Sequence, residues 1–180
     1  MRDESLKYMT FKTSWGYFGL AGSNWTLSRT CLPMRDRQKA ESYLLKDLPA
    51  AQYDRDYFRP LQEQVIAYFE GARVDFSADI PILLEGLSCF TRLVLAACRQ
   101  LRFGQVVTYS GLAKKTRRPR TARAVGNVLA RNPLPLIIPC HRVIRRDGKM
   151  GGFSAPGGTT MKKRLLELER SLKVPGTGSF

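Results

Sequence analysis

The sequence predicts an α/β fold, more narrowly α+β: a small N-terminal sheet-plus-helix domain, then a mostly helical C-terminal domain carrying a helix-turn-helix. Three observations carry that expectation. β-prone residues crowd the beginning of the chain. Helical spacing of apolar residues governs most of the remaining sequence. Charge is divided between the two halves. The 180 residues have a net charge of +15. Residues 1–88 hold 11 Lys+Arg against 12 Asp+Glu, a balance of −1. Residues 89–180 hold 19 Lys+Arg against only Asp147, Glu167 and Glu169, a balance of +16. Solubility needs no such division, whereas a polyanionic partner does. Each neutralised phosphate releases counterions and strengthens binding.

Residues 7–32 read as short strands. Tyr8, Thr10, Phe11, Tyr17, Phe18, Trp25, Thr26 and Leu27 favour β structure, and Ser14-Trp15-Gly16 and Gly22-Ser23-Asn24 supply turns. Helices are predicted over 35–47 and 55–70. In the second, Tyr57, Leu61, Val65 and Tyr68 or Phe69 recur at helical spacing, and Gly71 ends it. This half shows no chemistry and reads as a supporting domain. The stretch from Gly71 to Ser88, with Pro81 and Gly86, is a connector. The predicted divisions are therefore 1–88, 89–173 and a Pro/Gly-rich, disordered tail at 174–180.

The basic half opens with a helix over 90–101, whose core stripe is Phe90, Val94, Ala97 and Leu101, with Cys98 beside it. Two short helices come next, over 110–115 and 121–131. Their length and the intervening Thr116-Arg117-Arg118-Pro119-Arg120 match a helix-turn-helix. On the second, Val125, Val128 and Leu129 face the core. Arg123, Asn127 and Ala130 lie opposite, with Gly126 at the edge. The basic run Lys114–Arg120 admits a solvated loop, a nuclear import signal or phosphate contact, and its place against the next helix favours the last. A final helix over 160–172 has the stripe Met161, Leu165, Leu168 and Leu172. Glu169 lies about 70° from its centre and Glu167 about 130° away on the other side. One acid can reach the interior and the other cannot.

Asn132 to Ile144 holds the single histidine, directly after a cysteine. Pro133, Pro135 and Pro139 exclude a helix there. Leu136-Ile137-Ile138 predicts an extended, buried run that delivers Cys140 at a rigid turn. Taken alone, Cys140 has two readings: an inert buried thiol beside a structural His141, or a nucleophile activated through a water. Cys31, Cys89, Cys98 and Cys140 form no CxxC pair, so no metal site is predicted, and free thiols suit a reducing compartment. No apolar run approaches the roughly 18 residues of a membrane span, and the N-terminus has no signal core.

The motif from Asn132-Pro133 through Ile138-Pro139-Cys140-His141-Arg142-Val143-Ile144 does not stand alone. It is joined by Phe90-Thr91-x-x-Val94, Gly104-x-x-x-Thr108-Tyr109, Ala122-Arg123-Ala124-Val125-Gly126 and Lys162…Leu165-Leu166-x-x-Glu169. Together they resemble the O6-alkylguanine-DNA alkyltransferases, from about Phe90 to Glu169. The resemblance implies direct reversal of DNA damage, with no cofactor. Cys140 takes the alkyl group of O6-alkylguanine in duplex DNA, once per molecule; O4-alkylthymine stays open as a second substrate. It also implies a relay. Glu169 orients and charges His141, which takes the proton of Cys140 and lowers a thiol pKa of about 8.5. Asn132 braces the site, and Tyr109 protonates or polarises the leaving guanine.

The same resemblance implies that Arg123 enters the base stack in place of an extruded nucleotide, its helix lying in the minor groove. Ala122, Gly126, Asn127 and Arg131 would accompany it at the DNA, with Thr91 and Arg120 from neighbouring elements. Leu129, Val143, Met150, Phe153 and Ser154 would join Tyr109 around the base. A glycine-rich loop over 148–158 would close on it. Phe153 stands where the family usually has Tyr, and Ala155-Pro156 replaces a glycine-containing step, which bears on the bulk of alkyl group accepted. The expected partner is double-stranded DNA, bound by a monomer without a membrane. The expected location is the cytoplasmic nucleoid of a prokaryote or the nucleus of a eukaryote. Two alternatives remain: a non-enzymatic lesion binder, although such alkyltransferase-like proteins carry Trp at the position of Cys140, and a helix-turn-helix regulator with a structural cysteine.

Overall fold

The structure, a computed structural model, describes residues 5–76 and 78–172; the predicted tail at 174–180 lies outside the described residues. The β-prone opening forms strands β1 (Leu6–Thr13), β2 (Gly16–Ser23) and β3 (Leu27–Met34). β1 and β2 pair as a hairpin whose last partners are Thr13 and Gly16. Gly16 has φ +129, and a Cβ there would stand 2.5 Å from the Met34 carbonyl oxygen, so the close approach of β3 demands glycine. Trp25, read as a strand residue, instead sits exposed in the β2–β3 turn. A short β4 (Gln52–Tyr53) pairs parallel to β1, giving the order β3-β2-β1-β4.

Both faces of this sheet are covered, because successive residues on β2 point opposite ways. Phe18 and Leu20 pack with Leu61, Val65, Tyr68 and Phe69 of α2 (Arg59–Phe69). Ala21 and Cys31 pack with Ala40 and Leu44 of α1 (Arg37–Leu44) on the other side. Asp36 caps α1 by accepting from the Lys39 amide at 2.9 Å.

The second half adds α3 (Cys89–Arg99), α4 (Tyr109–Lys115), α5 (Ala122–Leu129) and α6 (Gly158–Ser171). Ser88 and Thr108 cap α3 and α4. The buried face of α3 is Val94, Leu95 and Cys98, continued by Leu101, with Phe90 and Ala97 only half-buried. The predicted stripe is therefore turned, and Cys98 stands within the core. Parallel pairing of β5 (Val107–Thr108) with β6 (Val143–Ile144) ties the start of α4 to the residues after Cys140.

The run before Cys140 is buried as predicted but is not extended. Leu136 takes φ 79, and the Ile138 amide donates back to the Leu134 carbonyl at 2.8 Å, closing a compact loop. β3 holds this loop. The Thr30 amide donates to the Pro133 carbonyl at 3.0 Å, and Thr30 Oγ1 donates to the Pro135 carbonyl at 2.8 Å. Those bonds satisfy carbonyls that a continuing strand would otherwise pair. One continuous apolar cluster runs from Met9 and Phe18 through Val94 and Ile138 to Leu165, so the two halves share a core.

Thr30→Val tests that anchorage. It keeps the side-chain shape and strands the buried Pro135 carbonyl, so stability should fall by about 1–3 kcal/mol. Urea unfolding should show a lower midpoint with an unchanged slope.

Candidate active site

Cys140 begins a 3₁₀ turn, Cys140–Arg142, bounded by Pro139 and the extended Val143. The Arg142 amide closes the turn on the Pro139 carbonyl at 2.9 Å. Asn132 Nδ2 donates to Cys140 Sγ at 3.2 Å and to the Ile138 carbonyl at 2.8 Å. Asn132 Oδ1 meanwhile accepts from the Leu134 amide at 3.0 Å. The bracing asparagine is thus locked at both ends of its amide, and the thiol it holds is 6% exposed.

His141 is fully buried, and its Nε2 lies 2.9 Å from Glu169 Oε1. A carboxylate offers only lone pairs, so Nε2 carries the hydrogen. Nδ1 is then the basic nitrogen, and it makes no hydrogen bond among the described residues. No direct bond joins it to Cys140, in keeping with the expectation that any proton passes through an intermediary.

Among the described residues, Glu169 accepts from four different partners. Its Oε1 accepts from His141, from Tyr68 Oη at 2.8 Å and from Arg142 Nη2 at 2.8 Å. Its Oε2 accepts from the Gly104 amide at 2.9 Å and from Arg142 Nε at 3.0 Å. Arg142 also donates Nη1 to the Leu101 carbonyl at 2.5 Å. The buried face of α6 is Met161, Lys162, Leu165, Leu166 and Glu169, which places Glu169 squarely on that face. The predicted stripe, which put it at the border, is turned toward the two interior charges. Glu167 is exposed and lies 3.7 Å from Lys163.

Burial by itself would push the Glu169 carboxyl up, but the bonds and charges of His141 and Arg142 outweigh it and hold it well below the usual carboxylate range. Burial pushes the His141 imidazole down, against the pull of Glu169. Burial likewise raises the Cys140 thiol, more than Asn132 and Lys162 lower it. The direction is opposite to the lowering the relay was expected to give: desolvation penalises a thiolate more than Asn132 and Lys162 stabilise it. Lys162 is also fully buried, donates Nζ to the Val143 carbonyl at 2.7 Å and is lowered by burial to about 8.

An apolar cavity of about 940 Å³ opens between Tyr109, α5 and the loop that follows the 3₁₀ turn. Tyr109, Phe153 and Ser154 line it as predicted, and so do Arg123, Ala122 and Gly126 from α5. Leu129 and Val143 do not; both are core, because α5 turns Leu129 inward and Val143 pairs with Val107. Met150 is half-buried and also outside the lining. Asn127, Arg131 and Arg120 stand off the cavity. Thr91 is half-buried, its hydroxyl 2.9 Å from Ser88 Oγ. Gly151, with φ +69, lies against Tyr109; a Cβ there would meet the Tyr109 hydroxyl at 2.9 Å. Cys140 is not in the cavity wall. Tyr109 lines the cavity, and its ring lies 5.7 Å from Lys162 Nζ.

Three site residues carried no predicted role. Arg142 and Lys162 stand inside the quoted motifs, but nothing in the sequence assigned either a part in the site. Tyr68 carried no signal at all, being an apolar-stripe residue 101 positions from its partner.

A buried cysteine braced by asparagine, a histidine–carboxylate pair behind it and a helix-turn-helix at the cavity mouth define a protein of cysteine chemistry joined to a nucleic-acid-type scaffold. A family profile described as "6-O-methylguanine DNA methyltransferase, DNA binding domain" matches residues 89–171. The methylated-DNA–protein-cysteine methyltransferase of Metallosphaera sedula is 44% identical over 123 residues, 68% of this chain and 74% of that protein. The protein of the same name from Rattus norvegicus is 48% identical over 107 residues, 57% of this chain and 51% of its own. The crystal structure of Mycobacterium tuberculosis O6-methylguanine methyltransferase aligns with a TM-score of 0.76 at 30% identity, covering 95% of this chain and 96% of that one. The structure of Mycobacterium tuberculosis OGT in complex with DNA aligns at 0.74 and 31%, covering 92% and 93%. The chain belongs to the methylated-DNA–protein-cysteine methyltransferase family.

Glu169→Gln leaves the Arg142 guanidinium buried without its counter-charge, so it should cost about 3–5 kcal/mol at neutral pH. Glu167→Gln should stay within about 0.5 kcal/mol. Both depressed groups make stability depend on pH. The folded His141 resists protonation, so stability declines as pH falls below about 6.5, where the unfolded chain takes up the proton. The Glu169 contribution is complete above about pH 4.3 and is lost with further acid. Urea midpoints across pH check each part.

Proposed function

We propose that this chain repairs DNA by transferring the alkyl group of O6-alkylguanine in a duplex to Cys140, irreversibly and once per molecule. The observation that carries the reading is Cys140 Sγ held at 3.2 Å by Asn132, next to a histidine whose free nitrogen is basic and whose other nitrogen is tied to Glu169. Its relatives are named methylated-DNA–protein-cysteine methyltransferases, which supports the transfer of a methyl group from DNA to a cysteine. A monomer acting on one lesion-bearing duplex is sufficient.

A base inside a duplex cannot reach a buried thiol. It must rotate out, at a cost of a few kcal/mol in lost stacking. Arg123 is exposed on α5 and lines the cavity, where its long side chain can occupy the space the base leaves. The small neighbours Ala122, Gly126 and Ala130 let a backbone come close. The cavity takes the flipped guanine against Tyr109 and Phe153.

Sγ then attacks the alkyl carbon in line with the departing O6. The S–C bond forms as the C–O6 bond breaks. The thiol proton passes through a water to His141 Nδ1, and the imidazolium that results is stabilised by Glu169. Tyr109, whose pKa burial has raised, keeps its hydroxyl proton to share with the guanine as it takes up the bonding pair. A thioether has no ready route back to a thiol, so the protein is consumed. A thiol whose pKa burial pushes up fits single use, since it is a weak nucleophile until His141 takes its proton.

Intact-mass and peptide mass spectrometry after incubation with O6-methylguanine duplex should show one methyl per chain, on Cys140. Repeated turnover, or methyl on Cys31, Cys89 or Cys98, sinks the assignment. Arg123→Ala should slow repair of the duplex lesion far more than reaction with a free alkylguanine, which needs no flipping. Equal losses on both substrates would assign Arg123 to the fold instead.

A further inference from the structure

Glu169 Oε1 is shared. Tyr68 Oη, His141 Nε2 and Arg142 Nη2 all donate to it, within 2.8–2.9 Å. Arg142 Nε adds a fourth contact at 3.1 Å. A carboxylate has about four lone-pair sites over both oxygens, and Oε2 is itself occupied by Gly104 and Arg142. The donors on Oε1 therefore compete, and each weakens the hold of the carboxylate on the others. Tyr68 differs from the rest in origin. It lies on α2 in the N-terminal half, fully buried, and reaches Glu169 across the interface between halves.

We infer that Tyr68 is a positioning residue for the relay: its hydroxyl draws on Glu169 Oε1 in competition with His141, and so keeps His141 neutral and ready to accept a proton. The inference rests on the proposed alkyl transfer, where His141 is the base. An imidazole facing a carboxylate with fewer other donors becomes easier to protonate, because the imidazolium gains more from the anion. Protonated beforehand, it can take nothing from the thiol. The other charged and titratable groups about His141 are Arg142 and Cys140 from its own turn and Lys162 from α6. Cys98 of α3 and Tyr109 of α4 act on Cys140 rather than on His141. None of these but Arg142 bonds to Glu169, and Arg142 cannot lose its proton. Tyr68 is therefore the one neutral side-chain donor to that carboxylate among the described residues, His141 itself apart. The N-terminal half, which shows no chemistry in its sequence, contributes a hydroxyl to the active site.

The test uses the full chain, and His141 is its sole histidine, so an imidazole titration by NMR needs no assignment. Tyr68→Phe removes the hydroxyl and keeps the ring. It should raise the His141 midpoint by about one pH unit, the scale of one hydrogen bond to a charged group. The acid limb of the alkyl-transfer rate should move up by the same amount. A purely structural tyrosine would lower the unfolding midpoint and leave the titration where it was, and that result overturns the inference. A second measurement needs no variant. With tyrosines labelled at Cζ, the Tyr68 signal of the unaltered chain must move at the His141 midpoint, and a Tyr68 signal that does not move overturns the inference as well. If the unaltered chain transfers no alkyl group at all, it is the reading of function that fails; the two titrations stand apart from that result.

Discussion

The carboxylate of Glu169 is the constraint on which the site depends. It is 1% exposed and carries a charge that cannot survive inside a protein without compensation. Tyr68, Gly104, His141 and Arg142 supply that compensation from three separate segments. A buried ion pair of this kind adds little net stability relative to a well-packed apolar alternative. What it does is specify. The donors can all be satisfied only when α2, the turn before β5, the 3₁₀ turn and α6 meet in one arrangement. That arrangement also points a basic nitrogen of His141 away from the carboxylate.

Around this point the chain keeps its reactive group quiet. Cys140 is buried and braced by Asn132, and burial pushes its thiol pKa up. An exposed thiolate would be open to oxidation and to stray electrophiles. A protein that can act once loses everything by such a side reaction. Burial and single use are thus compatible, with the cost moved to the substrate, which must come to the thiol. The cavity lined by Tyr109, Arg123 and Phe153 is where the proposed reading puts the flipped base, and Gly151 keeps the Tyr109 hydroxyl free of steric pressure.

The two halves divide charge but not structure. Their shared core, and the grip of Thr30 on the Pro133–Pro135 loop, make the neutral half part of the active site's foundation. Not all of the positive excess faces outward, either. Arg142 neutralises Glu169, and Lys162 lies under Tyr109. The cations of the Lys114–Arg120 run at the helix-turn-helix are exposed and form part of the surface a polyanion would meet.

Sequence alone determined much of this protein, because several signals are local. The β-prone residues of 7–32, the stripes on α2 and α5, the prolines around Cys140 and the charge division each depend on neighbouring residues only. The Cys140-His141 motif and its resemblance identified the chemistry, and Asn132, Tyr109 and Glu169 were named from it. Tertiary structure decided what depends on distance. The turned faces of α3 and α6 reflect the partners those helices meet, not their own periodicity. The compact loop at Leu136 owes its shape to bonds made by Thr30 on another strand. The upward push on the Cys140 thiol comes from burial, which no residue carries in its identity. Arg142 and Lys162 are motif residues with no role until their partners are seen, and Tyr68 reads as core until its hydroxyl meets a carboxylate 101 positions away. Pairings across such separations are set by how the elements pack, and linear spacing carries no trace of them.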